Sequence, residues 1–217
     1  GLGRLVSNTS VNWNYYTEPE PALHGRRLWW PRGKVLGGSS SINAMCYTRG
    51  TPADYDAWAA DGAHGWAWQS VLPYFLRAEG NSRGASPLHG GDGPLAVSDL
   101  RHVNPLSQAF VDAGIQAGWP RNDDFNGPTQ AGVGLYQVTQ RDGARCSAAA
   151  AYLAPARTRP NLQVVTGALT QRIVVEHGRA TGVEYRHRGR LHQAGDVHER
   201  GAVLLRRWRV HDDPGGA

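Results

Sequence analysis

One segment rich in glycine and serine, WPRGKVLGGSSSINAMCYTRG at positions 30–50, constrains the fold more than any other stretch of the sequence. The adjacent Gly37 and Gly38 lack a Cβ, so the backbone there can adopt positive φ, turn sharply and approach a ligand closely. Ser39–Ser41 then place three hydroxyl groups at the start of a short predicted helix that continues through Asn43 to Tyr47. The free N–H groups of such a helix start suit a phosphate or another anion. Local chemistry leaves two interpretations open, a plain turn and a ligand site.

Three familiar motifs are excluded by the residues around this turn. A phosphate-binding P-loop ends in Gly-Lys-Ser/Thr, whereas Gly33 and Lys34 are followed by Val35. A hydrolase elbow, Gly-x-Ser-x-Gly, would need a glycine where Ile42 stands. The Gly-x-Gly at positions 1–3 is followed by valine at position 6 and has no strand before it, so it is not a dinucleotide-binding fingerprint.

Charge and cysteine content exclude further classes of function. The net charge is +5, but residues 186–217 hold seven arginines against four acidic residues, so the rest of the chain is nearly neutral and no nucleic-acid-binding face is predicted. Cys46 and Cys146 stand a hundred positions apart, which predicts neither a disulfide framework nor a zinc site and favours a reducing compartment, the cytoplasm. No leader and no long apolar span is visible, so neither export nor membrane crossing is predicted.

Capping residues and apolar spacing predict four helices. These run from Thr51-Pro52 to Gly62, from Ser70 to Ala78, from Asn104-Pro105 to Gly118, and from Ser147 to Pro155. Trp58 is expected to pack inward from the first helix, and Pro73 to lie in the first turn of the second. The third helix has apolar residues at helical spacing, which predicts one face packed on a core: Leu106, Phe110, Val111 and Ile115.

Runs of β-branched and aromatic residues predict the strands. The isolated predicted strands are Val11–Thr17, Arg26–Trp30, Leu95–Val97 and Leu135–Thr139. A three-stranded antiparallel sheet is predicted from Asn161–Thr166, Leu169–Val175 and Ala180–Tyr185, with a turn at His177-Gly178. After about Arg186 the pattern decays.

The segment at positions 30–50 resembles the first signature of the glucose–methanol–choline (GMC) flavoprotein oxidoreductases. Its flanks agree in the same order, with NWNYYTEPEP before it and DYDAWAADGAHGW after it. Further agreement follows in LHGGDGPL, in DDFNGPTQAGVGLYQVTQRDGARCSAAAAYLAPA and in RPNLQVVTGALTQRIVVEHGRATGVEY. The pattern is similar to that of bacterial choline-dehydrogenase-like members and spans roughly residues 11–190.

The resemblance implies an α/β flavoprotein, of which this chain is an internal excerpt that looks α+β. It implies part of the FAD-binding domain in residues 1–70, part of the substrate cap in 71–158, and a return to the FAD-binding domain in 159–205. Residues 206–217 depart from the family, and one alternative reading frame restores a family-like Cys-Ala-Gly turn, so we expect a frameshifted tail there. Without its central parallel sheet, the excerpt is expected to be marginally stable and to expose apolar surface.

The implied reaction is oxidation of a primary alcohol of the choline type, with hydride transfer to N5 of FAD. The family's N-terminal nucleotide fingerprint and C-terminal catalytic histidine are absent from this chain, so missing terminal portions are expected and no catalytic or metal-binding residue is assigned. The residues that the resemblance places against FAD are Gly33, Leu36, Gly37, Gly38, Asn43, Met45 and, near the adenine, Thr170. Some members attach the flavin covalently through a histidine whose counterpart here is Ile42, so non-covalent binding is expected.

Two alternatives stay open, a catalytically inactive truncated product and one part of a split flavoprotein, and a free-standing FAD-binding module ranks third. The resemblance also leaves open whether the full-length enzyme associates with a membrane. Tyr136 and Arg145 are candidates for the substrate region or for ordinary packing. Asp54 and Asp56 are interpreted as stabilisers of a helix start, and Cys46 as a small packing residue. The remaining candidates, all interpreted as solvated loop residues, are His24, His64, His89 and His102.

Overall fold

The computed structural model describes residues 6–195 in full and residues 201–204 as backbone. It divides into two compact units, one formed by residues 1–42 and 153–217 and the other by residues 43–152. The expected frameshifted tail, 206–217, lies outside the described residues. The assignment of chain ranges to FAD-binding and cap domains stays a prediction.

Most of the helices and strands are short. The helices are α1 (Pro52–Ala60), α2 (Trp68–Ala78), α3 (Pro105–Gln116) and α4 (Ala154–Ala156), the last preceded by a π-helical segment (Ala149–Leu153), and 3₁₀ turns cover Pro21–Leu23 and Gly38–Ser41. The strands are β1 (Tyr15–Tyr16), β2 (Trp29–Trp30), β3 (Glu79–Asn81), β4 (Leu95–Val97), β5 (Gln140–Arg141), β6 (Ala144–Arg145), β7 (Leu162–Val165), β8 (Ala168–Glu176), β9 (Arg179–His187), β10 (Arg190–Gly195) and β11 (Gly201–Leu204).

The first unit contains a three-stranded antiparallel sheet in the order β10-β9-β8. Its two hairpin turns, His177-Gly178 and Arg188-Gly189, have positive φ at both central residues, the geometry that matches the twist of paired strands. Arg172 on β8 clamps Glu184 on β9 with bonds of 2.6 and 2.8 Å. The predicted sheet therefore has the right number of strands, but one of the three predicted strands belongs to another sheet. The strand β7 pairs in parallel with β11 instead, and the polar strand β10 was missed.

The N-terminal segment of the first unit is less regular than predicted. The strands β1 and β2 pair antiparallel over two residues each, so the predicted strand over 11–17 is too long. Asn14 interrupts it with a φ of 57°. A non-glycine residue in that left-handed region breaks the extended path of a strand.

The helices α1 and α2 of the second unit follow the predicted start signals only in part. Asp54 accepts hydrogen bonds from Thr51 N (2.6 Å) and Thr51 Oγ1 (2.8 Å), and these bonds hold the pKa of Asp54 below its ordinary value. Asp56 accepts a hydrogen bond from Trp68 N (2.9 Å). The helix α2 begins at Trp68, two residues before the predicted cap at Ser70. Pro73 consequently lies inside the helix rather than in its first turn.

Aromatic packing between these helices centres on Tyr55, which is buried and contacts Trp58, Trp68 and Phe75 with ring centroids 5.3–5.7 Å apart. Trp58 was expected to point inward but stays 50% exposed, because Tyr55 takes the inward position one turn earlier. The inward-packing prediction is wrong for this residue.

The core of the second unit is small. Ala96, Cys146 and Ala151 form its buried cluster, beside the parallel pair β3 and β4. The predicted strand over 135–139 is wrong, because among the described residues only Val138 of that stretch makes strand-like bridges, to Cys46 and Ser98.

The helix α3 begins at its predicted cap, since Asn104 Oδ1 accepts a bond from Leu106 N (2.9 Å). Its apolar face is covered only in part. Val111 is 3% exposed, whereas Leu106 and Phe110 are 79% and 74% exposed. Apolar surface is thus open on this helix, as expected for the excerpt. None of the helices that the structure describes is long and apolar enough to span a membrane.

Candidate functional site

The glycine–serine segment folds into a tight turn that its own serines hold closed. Gly37 and Gly38 both have positive φ, +86° and +56°, so both depend on the freedom of glycine. Ser39 Oγ accepts a bond from Gly33 N (3.1 Å), and Ser41 Oγ donates to the carbonyl oxygen of Leu36 (2.7 Å). The hydroxyl groups thus stabilise the turn itself. The predicted helix through Asn43 to Tyr47 is wrong, because the 3₁₀ turn ends at Ser41.

Gly33 allows the two ends of the turn to meet. A Cβ at this position would collide with the backbone of Gly38 and Ser39. The outer side of the turn is open, since a Cβ at Gly38 would meet nothing within 4 Å. Within the described residues, the N–H groups of Leu36 and Gly37 have no hydrogen-bond acceptor, although both residues are half-buried. Two backbone donors that have no described acceptor suit a ligand rich in acceptor atoms.

A buried asparagine, which no local pattern predicted, anchors this turn. Asn12 is 2% exposed, and its Oδ1 accepts bonds from Arg32 N (2.8 Å) and Asn14 N (3.0 Å). The N–H of Lys34 donates to Val11 O at 2.7 Å. The segment that leads into the turn is thereby fixed to the chain twenty residues upstream.

Asn43 and Met45 belong to the second unit, where one arginine holds Asn43. Arg145 Nη1 donates to Asn43 Oδ1 (2.7 Å) and Arg145 Nη2 donates to Asn43 O (2.9 Å). Met45 has a φ of +65°, its N–H donates to Asn43 Oδ1 (3.0 Å), and its carbonyl accepts from Thr139 N (2.9 Å). Partial burial lowers the pKa of the Arg145 guanidinium.

Thr170 lies in the first unit, on the sheet strand β8, opposite Tyr185. A bulge follows it, between Thr170 and Arg172. Of the seven residues predicted to contact the cofactor, the structure brings Gly33, Leu36, Gly37 and Gly38 together in the turn. It joins Asn43 and Met45 in the second unit and places Thr170 on the sheet. Contact of these residues with a cofactor stays a prediction.

A buried charged cluster in the second unit was missed from the sequence. Glu79 is fully buried, and its Oε1 lies 2.8 Å from His89 Nδ1, while His89 Nε2 lies 2.9 Å from Asp124 Oδ2. Asn81 Nδ2 contacts the same Glu79 oxygen at 2.7 Å. The prediction of a solvated loop is therefore wrong for His89, whose side chain is 11% exposed.

Burial and the Glu79 charge raise the pKa of Tyr47, whose hydroxyl group hydrogen-bonds that carboxylate. Both ring nitrogens of His89 face carboxylate oxygens, so neither is free to take a proton from a substrate. We therefore assign the cluster a structural role. The other three histidines are exposed, as predicted: His24, His64 and His102.

Arg49, near the end of the signature segment, is buried against backbone carbonyl groups. Its Nη2 donates to Leu88 O (2.7 Å) and Asn126 O (3.1 Å), and its guanidinium stacks 5.5 Å from the ring centre of Phe75. Within the described part of the chain, its Nε and Nη1 have no hydrogen-bond partner. Arg49 thus ties the segment to two distant loops through main-chain contacts.

The remaining candidates are resolved as ordinary surface or packing residues. Cys46 is exposed, so its interpretation as a packing residue is wrong, whereas Cys146 is buried, and both thiols are free. Tyr136 stacks on Phe125 with centroids 4.6 Å apart and stays 42% exposed. Across residues 6–195, no group of three or more histidine, cysteine or acidic side chains is arranged to hold a metal ion.

These observations describe a protein of helices and strands with a glycine turn in which two backbone N–H groups have no acceptor among the described residues. The family model of the GMC oxidoreductases matches residues 9–210, and the chain belongs to that family. It is 51% identical over 186 residues to the oxygen-dependent choline dehydrogenase of Sinorhizobium fredii. The matched region covers 86% of this chain and 34% of the relative.

Solved structures agree with this assignment. The chain resembles pyridoxine 4-oxidase from Mesorbium loti at 34% identity with a TM-score of 0.82, covering 94% of this chain and 40% of that one. It also resembles an FAD-dependent oxidoreductase from Chaetomium thermophilum at 27% identity with a TM-score of 0.77, covering 89% and 36%. The predicted family and fold class are therefore confirmed. The chain spans about a third of the length of the choline dehydrogenase that it matches.

Proposed function

We propose that this chain forms the flavin-contacting part of an FAD-dependent enzyme that oxidises a primary alcohol. The observation that carries the proposal is the turn over residues 33–41, where the N–H groups of Leu36 and Gly37 have no hydrogen-bond acceptor among the described residues. Choline and pyridoxine, named in two of the similar proteins, both carry a primary alcohol group. A choline-like alcohol is therefore the proposed substrate.

The described residues fit a flavin. The ring edge of a flavin carries carbonyl oxygens and ring nitrogens that accept hydrogen bonds, and the turn offers donors. The family resemblance implies contacts of the cofactor with Gly33, Gly38, Asn43, Met45 and, near the adenine, Thr170, and these contacts are part of the proposal. When bound, FAD accepts hydride at N5 from the alcohol carbon, while the chain's residues bind and orient it.

Non-covalent attachment is part of the proposal. Ile42 stands where a covalent linkage is made in some family members, and its side chain carries no atom that could form such a bond. It is also 3% exposed, so it packs inside the protein rather than facing a ligand. The cofactor should consequently leave the protein on denaturation.

The chain is proposed to act with further polypeptide. It matches 34% of the choline dehydrogenase, and no residue within it is assigned as the catalytic base. Leu106 and Phe110, which are more than two-thirds exposed, offer surface for such polypeptide. An inactive product or one part of a split flavoprotein is the alternative. Cytoplasmic location is proposed because both cysteines are free thiols.

Anaerobic mixing with substrate tests the proposed reaction. The protein is purified together with any polypeptide that copurifies with it. It is mixed anaerobically with choline or another primary alcohol, and the flavin absorbance is followed. Bleaching by a primary alcohol, and not by a matched tertiary alcohol, is the expected result. Flavin that is bound but never reduced by any primary alcohol would favour the inactive alternative.

A further inference from the structure

The orientation of the Asn43 amide is dictated by its neighbours. Its Oδ1 lies 2.7 Å from Arg145 Nη1 and 3.0 Å from Met45 N. A guanidinium and a backbone N–H can only donate hydrogen bonds, so the atom that faces them must be the amide oxygen. The Nδ2 group is thereby turned away from this cluster.

That outward group is unused by the protein. Within the described residues, Asn43 Nδ2 has no acceptor, and the residue is exposed. Arg145 also fixes the backbone, since its second nitrogen bonds Asn43 O at 2.9 Å. Thr139 N holds the carbonyl of Met45 from the other side at 2.9 Å. Side chain and main chain of Asn43 are therefore both held while two N–H donors are presented.

We propose that Arg145 is a positioning residue, 102 positions from Asn43 in sequence, that presents Asn43 to the cofactor solely as a hydrogen-bond donor. This inference rests on the proposed function, because the acceptor is an oxygen or nitrogen atom of the bound flavin ring. A donor at that ring stabilises the negative charge that the ring gains on reduction. Loss of the donor should therefore lower the reduction potential of the flavin and weaken its binding.

Two substitutions separate positioning from folding. Asn43→Asp keeps two oxygens for Arg145 and Met45 but replaces the outward donor by an oxygen that only accepts. Arg145→Lys keeps the positive charge but cannot span Oδ1 and O with two parallel bonds. Arg141→Lys is the matched control. Arg141 lies four residues before Arg145, and its guanidinium likewise donates to a backbone carbonyl, Pro94 O, at 3.2 Å.

The experiment measures the flavin dissociation constant, the flavin midpoint potential and the urea midpoint in the flavin-loaded protein. Asn43→Asp and Arg145→Lys should each weaken flavin binding about tenfold and lower the potential, and the urea midpoint of Asn43→Asp should fall by no more than the weaker flavin binding accounts for. Arg141→Lys should leave all three values unchanged. Because the carboxylate of Asn43→Asp can still accept the hydrogen bonds from Arg145 and Met45, this variant tests the positioning role even where Arg145→Lys fails to fold.

Two outcomes would overturn the inference in distinguishable ways. If the wild-type protein binds flavin and both variants keep its affinity and potential, the positioning role is wrong and the proposed function stands. If the wild-type protein binds no flavin, the proposed function and the inference fail together.

Discussion

The buried Glu79 carboxylate lies 2.8 Å from His89 Nδ1, and the opposite nitrogen of the same ring lies 2.9 Å from Asp124 Oδ2. An imidazole that faces two carboxylates donates to both only in its doubly protonated form. The cluster therefore joins three segments of the second unit. A buried charge that loses its partner costs more than the pair contributes.

Replacing His89 should destabilise the protein strongly. His89→Gln leaves the Glu79 carboxylate buried without its imidazole partner, which should lower the free energy of unfolding by about 3–5 kcal/mol. Urea denaturation measures the change. His102→Gln, at an exposed loop position, is the matched control and should change stability by less than about 0.5 kcal/mol.

The double variant Glu79→Gln/His89→Gln gives a further check, because it removes the uncompensated charge together with its partner. It should be less destabilised than the sum of the two single variants. Additive losses would contradict a charge-paired cluster.

Tyr47 should make stability fall in alkaline solution. Burial and the Glu79 charge raise its pKa, so the neutral phenol is the form that the folded protein favours. Its contribution is fully present below the ordinary value of about 10 and is lost as the pH rises above it. Urea midpoints measured from pH 8 upward should drop more for the wild type than for Tyr47→Phe.

Tyr16→Phe, which removes the hydroxyl of an exposed tyrosine, is the control for this pH series. It should keep the alkaline drop of the wild type. An equal drop in the wild type and in Tyr47→Phe would show that Tyr47 has no part in it.

Gly33→Ala should damage the turn. The added methyl group collides with the backbone of Gly38 and Ser39, which cannot move without opening the turn. We expect a loss of about 1–3 kcal/mol in unfolding free energy and a weaker affinity for flavin. Gly195→Ala adds the same methyl group where nothing lies within 4 Å, and it should be neutral. Equal effects of the two substitutions would contradict the crowding at Gly33.

Local signals in the sequence predicted the helix starts and the turn. Thr51-Pro52 and Asn104-Pro105 begin helices because a cap and a proline act within one turn of chain, and the adjacent Gly37 and Gly38 both take positive φ. Such features depend on neighbouring residues alone. The strand at Arg190–Gly195 was missed because its residues are mostly polar and pairing with β9, rather than burial, holds it.

Long-range contacts were beyond the sequence. Arg145 meets Asn43 across 102 positions, and His89 meets Asp124 across 35. No pattern in the sequence around Arg145 or His89 shows whether the side chain binds a distant residue or is exposed to solvent. The resemblance to the GMC family named Asn43 as a site residue, whereas the arginine that orients its amide emerged only from the fold.

The flavin content of the purified protein tests the central claim most directly. The protein, with any polypeptide with which it is made, is precipitated with acid, and flavin is measured in the supernatant and in the pellet. The account predicts close to one flavin for each copy of the chain, all of it in the supernatant. Absence of flavin from both fractions would contradict the proposed function, and flavin held in the pellet would contradict non-covalent binding.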